Sequence, residues 1–234
     1  MRRRLLSLVA VAVMLCACVE ETGRPDTDAP SVSFKTSDGI TLRGHVFGTG
    51  NSWIILSHEF PDDQSAWFPF AGELAGKHYH VLTFDFRGYG ESDGNKQIDH
   101  GATDLSAALD YARSQHPTRV VLLGASMGGT ASVIVAASQS VDGVIGLSPP
   151  EQFRGMNAID VAGKITAPAL FVAGNEDDGA EQSAADLYDR LNPERSRLDI
   201  LNGSAHGVAL LTSPVAAQVR SDIYGFLSRV APPS

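Results

Sequence analysis

Residues 119–136 read RVVLLGASMGGTASVIVA, and few folds can accommodate such a stretch. Residues 120–123 are apolar on every side chain and too few for a helix. That pattern fits a strand covered on both faces, as in a mostly parallel sheet. From Met127 the apolar character continues with helical spacing. Between the two stands Gly124-Ala125-Ser126-Met127-Gly128, one hydroxyl among small residues. A strand that turns sharply into a helix needs small residues two positions either side of the apex, where backbones approach closely. The apex side chain is then presented at the strand end. The new helix aims its free N–H groups and positive dipole end at the same place.

The alternation extends along the chain. Apolar runs at 53–57, 79–84, 120–123, 141–147, 169–173 and 198–201 read as strands. Segments 64–77, 104–114, 127–137, 181–191 and 214–230 read as helices between and after them. Such βαβ alternation predicts an α/β fold, a mostly parallel central sheet with helices on both faces. Residues 31–35 and 40–42 flank a Ser37-Asp38-Gly39 turn and predict an N-terminal antiparallel hairpin. With 234 residues, 43% of them hydrophobic, there is material for one sizeable core, assigned to residues 31–234. The formal charge of -9, without any basic patch interleaved with aromatics, argues against nucleic acid as a partner. No repeat of fixed period, metal-ligand cluster or phosphate-binding loop stands out, so no cofactor is expected.

The first residues carry a different message. Arg2-Arg3-Arg4 precede an apolar run, broken only by Ser7, that reaches Cys18. A charged start and a short apolar stretch form a secretory signal, too short for a comfortable membrane span. Its end, Leu15-Cys16-Ala17-Cys18, resembles the bacterial lipoprotein signal. That resemblance implies a signal peptide over 1–17, lipidation of Cys18, and a lipid anchor to a membrane facing the extracytoplasmic side of the bacterial envelope. The alternative is cleavage near Ala17 and plain secretion, which leaves one of the chain's two cysteines as an unpaired thiol. Residues 18–30 are polar, with Pro25 and Pro30, and read as a flexible tether.

G-x-S-x-G alone recurs by chance in roughly one chain in ten of this length, so the plainer reading of Ser126 is a turn serine. Four further stretches change that balance: Ser57-His58-Glu59-Phe60-Pro61, Asp85-Phe86-Arg87-Gly88-Tyr89-Gly90-Glu91-Ser92, Gly174-Asn175-Glu176-Asp177 and Ser204-Ala205-His206-Gly207. Together they resemble the α/β-hydrolase superfamily, nearly from the first hairpin to the last helix. Capless members of the esterase-like and dienelactone-hydrolase-like kinds are the most similar.

The resemblance implies that Ser126 is the nucleophile, His206 the general base and then acid, and Asp177 the carboxylate orienting the imidazole. Glu176 and Asp178 adjoin Asp177, and some relatives place the acid near Glu151, so those alternatives stay open. The backbone N–H groups of Phe60 and Met127 would form the oxyanion hole. Glu59 departs from the glycine most members carry, although dienelactone-hydrolase-like members have a glutamate there. It either faces solvent or lies beside the nucleophile, where burial would raise its pKa. His58 is expected to brace this loop by hydrogen bonding. Asp85 and Arg87 are expected to tie the loop after strand 79–84.

Residues 151–167 leave room for one helix and no cap domain. An open site of that kind suits small acyl substrates. Trp67, Phe68, Phe70, Met127, Phe153 and Met156 are candidates for the pocket wall or for the core. The expected activity is that of a serine hydrolase cleaving small carboxylic esters through an acyl-enzyme. A serine peptidase or lactone hydrolase would use the same triad. A non-catalytic envelope binding protein on this scaffold is the alternative of another class.

Overall fold

The computed structural model describes residues 27–233. The signal, Cys18 and most of the tether inferred above fall outside them. In chain order the elements are β1 (Ser31–Lys35), β2 (Thr41–Phe47), β3 (Ser52–Ser57), α1 (Phe68–Ala75), β4 (His80–Phe84), α2 (Gly101–Ser114), β5 (Arg119–Ala125) and α3 (Met127–Ser138). There follow β6 (Gly143–Leu147), β7 (Gln152–Phe153), β8 (Met156–Asn157), β9 (Ala169–Gly174), α4 (Ala180–Tyr188), β10 (Arg197–Leu201) and α5 (Ala216–Val230). Eight strands form one sheet in the order β1-β2-β4-β3-β5-β6-β9-β10. The six from β4 to β10 pair in parallel, while β1–β2 and β2–β4 pair antiparallel. This is the α/β-hydrolase fold, with its N-terminal hairpin at one edge of the sheet.

Side chains alternate across each strand with a period of two, and the core divides accordingly. Ile54, Leu56, Val121, Leu123 and Ala125 meet Phe70 and Leu74 of α1 and Ile223 and Phe226 of α5 on one face. Trp53, Ile55, Val120 and Leu122 meet Leu105 and Leu109 of α2, Ala131 of α3 and Leu187 of α4 on the other. Both faces being covered, the central strands are apolar throughout, as their sequences read.

Because β1 is antiparallel to β2 and β2 to β4, β1 runs with the parallel strands. Its approach lies low on β2, where Val46 N–H donates to the Pro30 carbonyl and His45 Nδ1 is 2.9 Å from the Ala29 carbonyl. At the other end of the chain, Ser52 at the start of β3 donates to the Pro232 carbonyl across 2.8 Å. The described chain therefore enters and leaves along the amino edge of the sheet, and the strands discharge at the opposite edge.

Two segments differ from expectation. The helix read over 64–77 is a 3-10 turn at Gln64–Trp67 followed by the shorter α1. Pro69 explains the break: it has no N–H to continue a helix and is accepted only in a first turn, so α1 restarts around it. Residues 151–167, allotted a helix, instead hold the β7–β8 hairpin and a 3-10 turn at Ala162–Lys164. Arg154 and Gly155 both adopt positive φ, 43° and 97°, which closes a two-residue hairpin and leaves too little chain for a helix. Among the described residues no helix is long and apolar enough to cross a membrane.

Candidate active site

Ser126 connects β5 to α3 with φ 44° and ψ -114°, a conformation that costs about 1–3 kcal/mol in a residue with a Cβ. The flanking glycines are explained by what surrounds them. A Cβ on Gly124 would stand 2.2 Å from the Gly128 carbonyl, and one on Gly128 would stand 2.2 Å from the Ser57 carbonyl. Neither position tolerates a side chain, so the G-x-S-x-G spacing is the steric signature of this turn. Ser126 N–H donates to the Leu147 carbonyl of the neighbouring strand across 2.8 Å, which clamps the strained apex. Met127 opens α3, where helix N–H groups have no partner within the helix.

His206 follows β10 and Asp177 follows β9. The two loops are cross-bonded through Glu176 N–H to the Gly203 carbonyl and Gly203 N–H to Asn175 Oδ1. Asp177, 8% exposed, places both carboxylate oxygens 2.9 Å from His206 Nδ1. Neither Glu176, Asp178 nor Glu151 makes that contact. The imidazole is thereby oriented with Nδ1–H toward the carboxylate and Nε2 left for a substrate, its side chain 45% exposed. Among the described residues the Ser126 hydroxyl makes no hydrogen bond. Nucleophile–base contacts often tighten only when substrate arrives.

The loop after β3 completes the site. His58 is fully buried; its Nδ1 lies 2.9 Å from the Glu59 carbonyl and its Nε2 accepts from Phe86 N–H at 3.2 Å. Burial lowers its pKa, so it braces the loop as a neutral ring. Phe60 N–H has no acceptor among the described residues and is available to an oxyanion. Asp85 accepts from Gln64 and from Glu91 N–H, and Arg87 pairs with Asp104 and Asp38, which ties the loop after β4.

Glu59 is half-buried and points across to the histidine loop, where its Oε2 accepts from Val208 N–H at 3.1 Å. A Cβ on Gly207 would fall 1.5 Å from that oxygen, so the glycine after His206 makes room for the glutamate. Burial pushes the Glu59 carboxyl up to about 7. The Val208 N–H and the nearby His206 oppose that rise, while Asp62 and Asp177 add to it.

Two positions that the motifs do not flag also shape the site. Ser148, buried at φ 47° after β6, accepts from Gly207 N–H at 3.1 Å and pins the histidine loop. Its only sequence signal is its place just before Pro149-Pro150. Arg154 lies 4.1 Å over the Phe60 ring; a polar Arg-Gly pair between apolar residues is the one hint of its turn. Of the pocket-wall candidates, Trp67, Phe68, Phe70, Met127 and Met156 are buried in the core. Phe153 is half-buried with its ring 6.0 Å from that of Phe60. Among the described residues no group of His, Cys, Asp and Glu side chains is arranged to hold a metal ion.

The fold is that of the α/β-hydrolases, with the candidate site at the carboxyl edge of its sheet. The serine aminopeptidase S33 family profile matches residues 51–158, which include the Ser126 turn but neither Asp177 nor His206. An uncharacterized protein of Salmonella typhi, YfhR, is 31% identical over 129 residues, covering 51% of this chain and 44% of its own. The pimeloyl-[acyl-carrier protein] methyl ester esterase of Pectobacterium carotovorum is 31% identical over 107 residues, 45% of this chain and 40% of the esterase. The matched part thus spans under half the length of these relatives. Among solved structures, an esterase of Pyrococcus furiosus aligns with TM-score 0.75 at 20% identity, over 87% of this chain and 91% of that one. The enol-lactonase of Burkholderia xenovorans LB400 aligns with TM-score 0.70 at 18% identity, over 84% and 100%.

Proposed function

We propose that this chain is a serine hydrolase of small carboxylic esters. The observation that carries the reading is the His206–Asp177 pair, set at the same sheet edge as a serine held on a strained turn. Ser126 Oγ attacks the ester carbonyl while His206 Nε2 takes its proton. The N–H groups of Phe60 and Met127 hold the resulting oxyanion. Collapse expels the alcohol, which receives the proton from His206, and water then releases the acid by the same steps in reverse. A pocket of about 190 Å³ beside His206, lined by Ser148, Pro150, Asp178 and Ser183 among others, suits a small group on the leaving side. The methyl ester esterase relative supports ester chemistry, and the serine aminopeptidase profile keeps peptide cleavage as the second reading. Residues 1–18 support lipid anchoring at Cys18, on the extracytoplasmic face of the envelope; a serine hydrolase so placed would meet esters arriving from outside.

A fluorophosphonate probe tests the reading. The purified domain should be labelled at Ser126, and Ser126→Ala should abolish both labelling and aryl-ester hydrolysis. Labelling of the alanine variant would place the nucleophile elsewhere. A wild-type chain that resists the probe would favour a binding protein on this scaffold.

A further inference from the structure

Arg154 occupies a position that its turn does not call for. A two-residue hairpin with both φ values positive favours Asn, Asp or Gly at its first place rather than arginine. The side chain is nevertheless held in one place. Its guanidinium carbon lies 4.1 Å from the Phe60 ring centroid and 5.6 Å from that of Phe153. Among the described residues no carboxylate lies within ion-pair distance of this exposed side chain; Arg190, Arg195 and Arg229 likewise have no ion pair, but only Arg154 stands over a ring of the oxyanion loop. A chain with 27 acidic and 18 basic residues has left this cation unmatched at the oxyanion loop. Lys96 adds to the positive character, its Nζ 4.3 Å over the Tyr89 ring, whose phenol also feels the charge of Arg154.

The opposite side of the site is lined by acids. Asp178 lines the pocket beside His206, and Glu176, Asp177, Asp178 and Glu181 line the adjoining recess. A leaving alcohol must face His206 to receive its proton, and none of Phe60, Phe153 and Arg154 lines that pocket. The acyl chain is then directed toward the Phe60 and Arg154 side, where Arg154 is the charged group over the Phe60 ring, with Glu59 and Asp62 on the same loop as that ring. We propose that Arg154 is a specificity residue selecting esters whose acyl chain ends in a carboxylate. The assignment rests on the hydrolase reading above.

Matched aryl esters test it: a butyrate, a hemisuccinate of similar length with a terminal carboxylate, and an acetate whose aryl leaving group carries the carboxylate. The wild type should prefer the hemisuccinate over the butyrate by about tenfold in kcat/KM, a preference that shrinks as salt rises. Arg154→Gln should remove the preference mainly through a KM rise that is larger on the hemisuccinate than on the butyrate, while Arg154→Lys keeps part of it. Equal losses on both acyl esters, or discrimination that follows the leaving-group carboxylate instead, would overturn the assignment. Fluorophosphonate labelling separates the two failures. A labelled enzyme indifferent to acyl charge refutes the role of Arg154 alone, and an unlabelled one removes the hydrolase reading and this proposal together.

Discussion

Arg87 and Glu59 stand on neighbouring loops, after β4 and β3, and each holds a charge back from water in a different manner. Arg87 is 2% exposed and fully matched. Its Nε and Nη2 donate to Asp104 Oδ1 at 2.9 and 2.7 Å, and its Nη1 donates to Asp38 at 2.7 Å. Its own backbone N–H closes the arrangement on Asp104 Oδ2. Glu59 receives one N–H, on one oxygen, and its carboxyl rises to about 7 because burial outweighs that single bond. Framework charge is thus neutralised where it sits, whereas charge at the candidate site is left under-matched. Perturbed groups concentrate at functional sites, and Glu59 stands beside the candidate triad.

If the contrast is sound, substitutions at the site should change rate and spare folding, and substitutions at Arg87 should do the reverse. The largest effect falls on Asp177→Asn, expected to lower kcat on aryl esters by about 10⁴-fold through loss of the oriented imidazole tautomer. Its melting temperature should barely move; a large drop would make Asp177 a framework residue. Next comes Arg87→Met, which strands Asp104 in the interior and should cost about 3–5 kcal/mol in urea denaturation. Kcat per folded molecule should survive, and adding Asp104→Asn should recover part of the loss. A smaller effect is expected from Glu59→Gln. Glu59 binds its proton more tightly folded, near 7, than at its ordinary value of 4.5. Its ionisation therefore costs the folded state nothing below about pH 4.5, increasingly up to pH 7, and a constant amount above. Replacing it with Gln, which keeps an acceptor for Val208, should stabilise the protein by about 1–2 kcal/mol at pH 8 and not at pH 4. An unchanged pH–rate profile in that variant would deny Glu59 any part in the reaction.

The sheet was readable because both faces are covered: runs such as 120–123 and 169–173 need no alternation to declare themselves strands. The Ser126 turn was readable for a steric reason, since Gly124 and Gly128 are demanded by backbone carbonyls at 2.2 Å. The β7–β8 hairpin was not. Two-residue strands carry no measurable period, and Arg154-Gly155 is not the Asn-Gly or Asp-Gly pair that marks such turns. The short α1 was missed because Pro69 falls inside an otherwise helical pattern, and a proline there marks a start as readily as a stop. Glu59 left two fates open because its environment is supplied by Gly207 and Val208, remote in sequence and brought close only by the loop after β10. Which of three adjacent acids meets His206 likewise depends on how the loops after β9 and β10 are laced together, through Asn175 and Gly203, and local sequence does not encode that lacing.

The placement of the two ends of the described residues has a practical side. Ala29 and Pro30 lie low on β2, and Pro232 lies beside the first residue of β3, so both ends emerge behind the sheet while Ser126 and His206 look out from the front. Whatever is fastened next to Ala29 or Pro232, whether a bead or a fusion partner, holds the domain by its back. The candidate site is then turned toward the bulk phase, and a surface attached at either of those positions should leave small solutes free to come and go.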